Sequence, residues 1–259
     1  EINNHQYGVF LAGGNATISQ SSINDDAQYG VYIASSSVIL TLTNNTFTNN
    51  VLGSAYIDGA DFTHSGNTAF GTGKKGFIFS GNISANRTWN PDLPYIIQSL
   101  TINTGVMLTI QSGAIVKFDS SGVLYVSGTL NVNGASPDKV YFTSLKDDTV
   151  GGDTNGDGNA TTPAAADWQQ FRIYSGGQAN ISNAVIRYGG GYYFYNCSYP
   201  NVCYGAIYND GGAANIANSQ ISQNGLHGIY QKMGTLIVNN SEINNHQYGV
   251  FLAGGNATI

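Results

Sequence analysis

The sequence predicts an all-β solenoid of stacked parallel coils, each of about 22 residues, and three observations predict it. The first is composition. Only 9% of residues are charged, against roughly 25% in ordinary globular domains, so long amphipathic helices lack their usual building blocks. Short β-branched and aromatic runs instead alternate with Gly, Asn and Asp, the pattern of brief strands and tight turns. The second is a short period. An aromatic–Gly pair recurs at Tyr204-Gly205, His227-Gly228 and Tyr248-Gly249, and again at Tyr7-Gly8 and Tyr29-Gly30, in steps of 23, 21 and 22 residues. The third is a long repeat. Residues 242–259 reproduce residues 1–18 without a change, an offset of 241 residues, which points to a parent built of near-identical modules.

A coil of this length holds two or three short strands. Successive coils stack about 4.8 Å apart, so equivalent positions lie above one another. Each aromatic–Gly pair leads into an apolar strand and follows a polar turn. Ile221, Ile243, Ile23 and Phe47 form one expected internal ladder, while Tyr204, His227, Tyr248 and Tyr29 form an expected ring column. Turn asparagines such as Asn224 and Asn245 are placed to bond their equivalents in neighbouring coils. One coil cannot bury its own apolar side, so stability has to come from stacking. A propeller blade needs about 40 residues, and a leucine-rich repeat needs a fixed Leu frame that is missing here.

Along the chain, residues 1–66 read as coils closing one module. Residues 67–99, punctuated by Pro91 and Pro94, read as an irregular module junction, with a natural module starting near Gly81. Residues 100–145 are short strands with Gly breaks and residues 146–168 an acidic loop. Residues 169–259 are coils again, interrupted at 189–204 by a Cys- and Tyr-rich insertion. The step from Ile186 to Ile221 is 35 residues, which makes this insertion a projection from the solenoid.

With a net charge of −6 and a pI near 4.9, the chain has no clustered cations for phosphate, so a nucleic-acid partner is not expected. No apolar run is long enough to span a membrane. Cys197 and Cys203 read either as a disulfide or as two loop thiols. A disulfide fits an oxidising, extracellular setting at the cell surface.

The acidic loop carries the clearest chemistry. Asp153, Asn155 and Asp157 alternate ahead of Gly158, the first half of an EF-hand-type calcium loop, in which alternate oxygens converge on a hard cation. Position twelve would be Ala164 where Glu is expected, so further ligands would have to come from Asn159, Asp147, Asp148 or Asp167. The alternative reading is a solvated acidic turn. Asn-X-Ser/Thr sequons at Asn15, Asn44, Asn82, Asn86, Asn159, Asn180, Asn196 and Asn239 allow glycosylation. Tyr192, Tyr193, Tyr195 and Tyr199 crowd the cysteine loop, where they could stack on sugars, meet a partner chain or cover the solenoid.

The run TWNPDLPYIIQSLTINTGVMLTIQSGAIVKFDSSGVLYVSGTLNVNG, then VYFTSLKDDTVGGDTNGDG, ADWQQFRIY and NAVIRYGG, resembles large secreted parallel β-helix repeat proteins of bacteria and archaea, within the pectin-lyase-like superfamily. The resemblance spans most of the 241-residue module and implies a right-handed parallel β-helix. Enzymes of that superfamily carry acidic clusters, and some a His-Gly motif and an Arg-Ile-Lys. Here Asn24-Asp25-Asp26 and Gly225-Leu226-His227-Gly228 echo the first two, but only Phe171-Arg172-Ile173 and Ile186-Arg187-Tyr188 approach the third. No carboxylate pair stands out for glycoside hydrolysis. The expected role is therefore non-enzymatic: a structural tandem-repeat segment of an extracellular filament, stalk or giant adhesin, continuing end to end with copies of itself. A carbohydrate-binding adhesin module is the alternative, and a polysaccharide lyase or hydrolase a more distant one.

Overall fold

The computed structural model describes residues 1–191 and 205–259, and every regular element in them is a β-strand. The strands pair in parallel, coil upon coil. The chain is a solenoid of about eleven turns with about 22 residues in each.

Inward positions stack into ladders. One runs Ile2, Ile23, Phe47 and Ala69. A longer one runs Val9, Val31, Ala55, Phe77, Tyr95, Val116, Phe142, Ile186, Ile221 and Ile243. From Val31 to Ile221 every rung is fully buried. This column starts in strand Tyr7–Leu11 and ends in strand Glu242–Asn244, whose sequence equivalent is residues 1–3, the strand before Tyr7–Leu11. The columns have therefore shifted by one strand between the two ends. The shift lies within residues 67–99. Strand Phe77–Ile83 starts above Gly53–Asp58, but its second half founds a new column under Leu100, Leu124, Phe171, Ile207, Ile229 and Val250. Arg87 covers the break, donating from its buried guanidinium to the carbonyls of Gly59, at 2.7 Å, and Ala60.

The Asn-rich composition has a local cause. The corners between columns use left-handed backbone at Asn4, Asp25, Asn49, Gln223 and Asn245, and at Gln20, Asn44, Asn183, Asn218 and Asn240. Asn tolerates this conformation better than other L-residues. The adjoining corner residue turns its side chain inward. The Asn45 N–H donates to Asn67 Oδ1, and the Asn67 N–H to Asp92 Oδ1. Asp26 and Asn50 stack in the same way at the other corner. This explains the aromatic–Gly signature. A Cβ at Gly8 would lie 2.5 Å from Asp26 Oδ2, and one at Gly228 3.0 Å from the His246 ring. The glycine makes room for the buried polar corner of the adjacent coil.

Two registers differ from the sequence reading. Gly205, not Tyr204, stands opposite His227, because the coil step there is 22 residues and not 23. Asn245 bonds its neighbour Asn244 within its own coil, whereas Asn224 does bond to the next coil. The expected ring contact of His227 with Tyr248 is present at 5.2 Å.

Candidate metal centre

The acidic loop joins strand Val140–Ser144 to strand Gln170–Tyr174 and doubles back along the outside of earlier coils. Its neck is held by Lys117, whose fully buried ammonium donates to the carbonyls of Asp147 (2.8 Å) and Gly152 (2.9 Å). Burial depresses the Lys117 pKa to about 8, although Asp147, Asp148 and Asp153 oppose the shift. The tip reaches the column shift. The Lys75 N–H donates to the Thr154 carbonyl at 2.8 Å, and Lys75 Nζ pairs with Asp153 at 3.2 Å. Gly156, at φ 77°, packs against the Gly73 carbonyl, where a Cβ would collide. Beneath the loop lie the apolar side chains of Ile78, Ile96 and Leu145, flanked by Tyr29 and Tyr56. The loop is thus a strap across the place where the columns shift.

Within the strap, Asp153 folds the turn on itself. Its Oδ1 accepts the N–H groups of Gly156 (2.9 Å) and Asp157 (3.0 Å), and its Oδ2 that of Gly158 (3.2 Å). These donors and Lys75 hold its pKa below the ordinary value despite its burial. Carboxylate oxygens of Asp148, Asp153 and Asp157 all lie within 4.8 Å of one another. That spacing is about twice a calcium–oxygen distance. The Asn155 amide donates to Asp157 Oδ2 (2.8 Å) and Thr161 Oγ1 (3.1 Å), which leaves its carbonyl oxygen free. Asp148 Oδ1, Asn155 Oδ1 and Asp157 Oδ1 are buried oxygens without a donor. The Asp148 carboxyl is pushed up in pKa by burial and by Asp153, Asp157 and Asp147, with Lys117 pulling the other way. Three stranded acceptors beside a carboxylate cluster form a donor set suited to a hard cation.

Four of the seven candidate ligands, Asp148, Asp153, Asn155 and Asp157, come together. Asp147 does not join them. It is fully buried, paired with Arg187 at 2.6 Å and bonded by Thr143 and Thr149, and these partners keep its pKa low despite burial. Asp167 pairs with Lys146 at 2.7 Å and accepts from Ser144, so it closes the far end of the loop instead. Asn159 is exposed, beyond the turn. What the sequence could not reveal was Lys117, because one lysine in an apolar strand carries no spacing signal.

The residues that echo catalytic motifs have other partners. His227 packs among Tyr230, Tyr248 and Phe251. Asp25 accepts from Asn49 at 2.8 Å, and Arg172 pairs with Asp210 at 2.6 Å. Of the sequon asparagines, Asn15, Asn44, Asn82, Asn86, Asn159 and Asn239 are exposed. Asn180 is half-buried and sits in an amide ladder, donating from Nδ2 to Asn131 and accepting at Oδ1 from Asn215, so a glycan on Nδ2 would crowd the bond to Asn131. Cys197, Cys203, Asn196, Tyr192, Tyr193, Tyr195 and Tyr199 lie outside the described residues.

One aromatic column was missed. In register three positions beyond Tyr7, Tyr29 and Gly53, Phe10, Tyr32 and Tyr56 stack at one end of the chain, and three beyond Gly205, His227 and Tyr248, Tyr208, Tyr230 and Phe251 stack at the other, with Tyr208 and Tyr230 buried. Tyr32–Tyr56 and Tyr230–Phe251 both stack at 5.1 Å. The motif Tyr-Gly-Val-Phe, with Tyr-Gly-Val-Tyr and His-Gly-Ile-Tyr, was its available signal.

Among the described residues, no helix is long and apolar enough to cross a membrane. No curated protein and no solved structure matches the chain. A family model described as a right-handed β-helix region matches residues 1–135, just over half of the chain. That match, on a solenoid of parallel coils, gives the family and the hand: the chain belongs to the right-handed β-helix family.

Proposed function

We propose that this chain is a structural segment of an extracellular filament, stalk or adhesin shaft, in which near-identical modules follow one another without a break and do no catalysis. The observation that carries the reading is the shared coil. Residues 1–18 and 242–259 have one sequence and matching backbone. Tyr7–Leu11 corresponds to Tyr248–Leu252, and the left-handed corners at Asn4 and Asn245 have φ of 60° and 56°. The first copy pairs only with the coil after it, the second only with the coil before it. Each copy leaves open the edge that the other uses. Joined as one coil, Phe10/Phe251 would lie between Tyr230 and Tyr32, and Val9/Val250 between Ile229 and Val31.

Negative-stain imaging of the native assembly tests this. About eleven coils give an expected axial repeat of roughly 50 Å. Discrete monomers at high concentration, with both end coils ordered and solvent-exposed, would overturn it.

Calcium fits the shaft reading as a structural ion. Bound by Asp148, Asp153, Asn155 and Asp157, it would fasten the strap over the column shift. The exposed sequons suit glycosylation of a secreted surface, and mass spectrometry of the native protein would detect occupied sites. The carbohydrate-binding reading rests on tyrosines outside the described residues and gains nothing from the rest of the chain.

A further inference from the structure

The shared coil contains a histidine, His5 in one copy and His246 in the other. Each copy faces a different polar partner. At the chain's end, His246 Nε2 lies 3.1 Å from Asn224 Nδ2, while its Nδ1 is buried without a partner. At the start, His5 Nδ1 lies 3.5 Å from Asp26 Oδ1, which also accepts the His5 N–H at 3.0 Å. Asp26 is fully buried, its Oδ2 has no partner, and the His5 side chain is 55% exposed.

Asn224 decides the tautomer. Its Oδ1 accepts the Gly189 N–H at 2.7 Å, and its Nδ2 also donates to the Ile186 carbonyl at 3.1 Å. The amide cannot flip without breaking both bonds, so it presents only hydrogen to the imidazole. Nε2 must accept, which puts the ring proton on Nδ1. That proton lacks a partner at His246, and the equivalent atom of His5 faces the Asp26 carboxylate. One neutral imidazole satisfies both sides.

Resting on the tandem reading above, we propose that successive modules are locked by this single histidine, which bridges Asn224 of one module to Asp26 of the next, and that acid opens the lock. A proton on Nε2 would set two donors head-on and leave both without an acceptor. A proton on Asp26 would remove the charge that holds Nδ1–H. Either way one bridge is lost. The ionisable groups around the site are few. The coil below contributes His227. The coil above contributes Asp25, engaged by Asn49, together with Asp26 and Tyr29. The shared coil itself carries Tyr7/Tyr248 and Glu1/Glu242, the glutamate bonded to Asn3/Asn244. Burial already works against charge on both partners. It raises the Asp26 pKa, and burial together with His227 lowers that of His246 to about 4.

The test uses the whole chain followed directly by a second copy of residues 19–259, so that residues 242–259 become an internal joint. Hydrogen exchange of that coil, corrected for intrinsic rates, is compared at about pH 7.5 and about pH 3.5, below the His246 pKa of about 4. The expected result is a loss of protection of at least about tenfold in acid. His246→Gln offers an acceptor to Asn224 and a donor to Asp26 but does not titrate, so any acid response it keeps comes from Asp26 alone and should be clearly smaller than that of the native chain. Equal acid response in the native and Gln chains would overturn the lock while leaving the tandem reading standing. A joint unprotected even at neutral pH in both chains would overturn the lock and the tandem reading together.

Discussion

A buried asparagine in a solenoid has to satisfy the coils above and below it. Asn67 accepts from the Asn45 N–H and Nδ2, donates to the Leu42 carbonyl, and passes its own N–H to Asp92. Removing it strands several buried groups, each worth about 1–3 kcal/mol when left unpaired. Asn67→Ala should therefore cost about 3 kcal/mol in urea denaturation. Asn131→Ala, in the half-exposed amide ladder, should cost under about 1 kcal/mol. Single residues also set the limit of what sequence shows. The step from Ile186 to Ile221 was legible because both rungs keep the same residue, and the two are paired. Asp92 and Arg87 were not legible as cap and plug, since both stand where the period breaks and no repeated neighbour marks them.

At the scale of the element, the strap is where chemistry and architecture meet. The alternation Asp153, Asn155, Asp157 was readable because spacing alone brings alternate oxygens together. The contribution of Asp148, and the diversion of Asp147 and Asp167 to Arg187 and Lys146, depended on the path of the loop. Calcium at a hundredfold excess over its dissociation constant should stabilise the native chain by about 2.7 kcal/mol. Asp153→Ala with Asp157→Ala should abolish that gain in calorimetry, and a strap indifferent to calcium and chelator would mark the cluster as a turn only. Lys117 gives the strap a pH signature. Its folded pKa of about 8 lies below the ordinary lysine value of 10.5, so the unfolded chain binds more protons between those values. Stability should rise from about pH 8 towards pH 10, and below about pH 8, where both states hold the proton, Lys117 should add no further pH dependence. Above that window the raised Tyr29, near 12, works in the opposite direction. In Lys117→Met the rise should vanish from denaturation curves taken across the window.

The whole molecule has a simple optical signature: far-UV circular dichroism should show parallel β-structure with no helical component, and a helical spectrum would contradict every coil described. The solenoid was legible because its period is enforced at the corners, where Asn and Gly recur for backbone reasons. The shift of columns at 67–99 was not. It changes which strands are neighbours without changing what kind of residue each strand needs, so composition there reads only as irregular.

That shift governs how a shaft would present itself to its surroundings. The column that begins in Tyr7–Leu11 ends in the equivalent of residues 1–3, so in such a shaft each added module would be set round the axis by one strand position. Straps and exposed sequon asparagines would not line up along one side. They would wind about the shaft like the thread of a screw, and every flank would carry them in turn. A rod decorated in this way has no preferred bending direction over several modules and offers the same face to a neighbour from any angle of approach. A rod without the shift would have one ornamented side and one bare one.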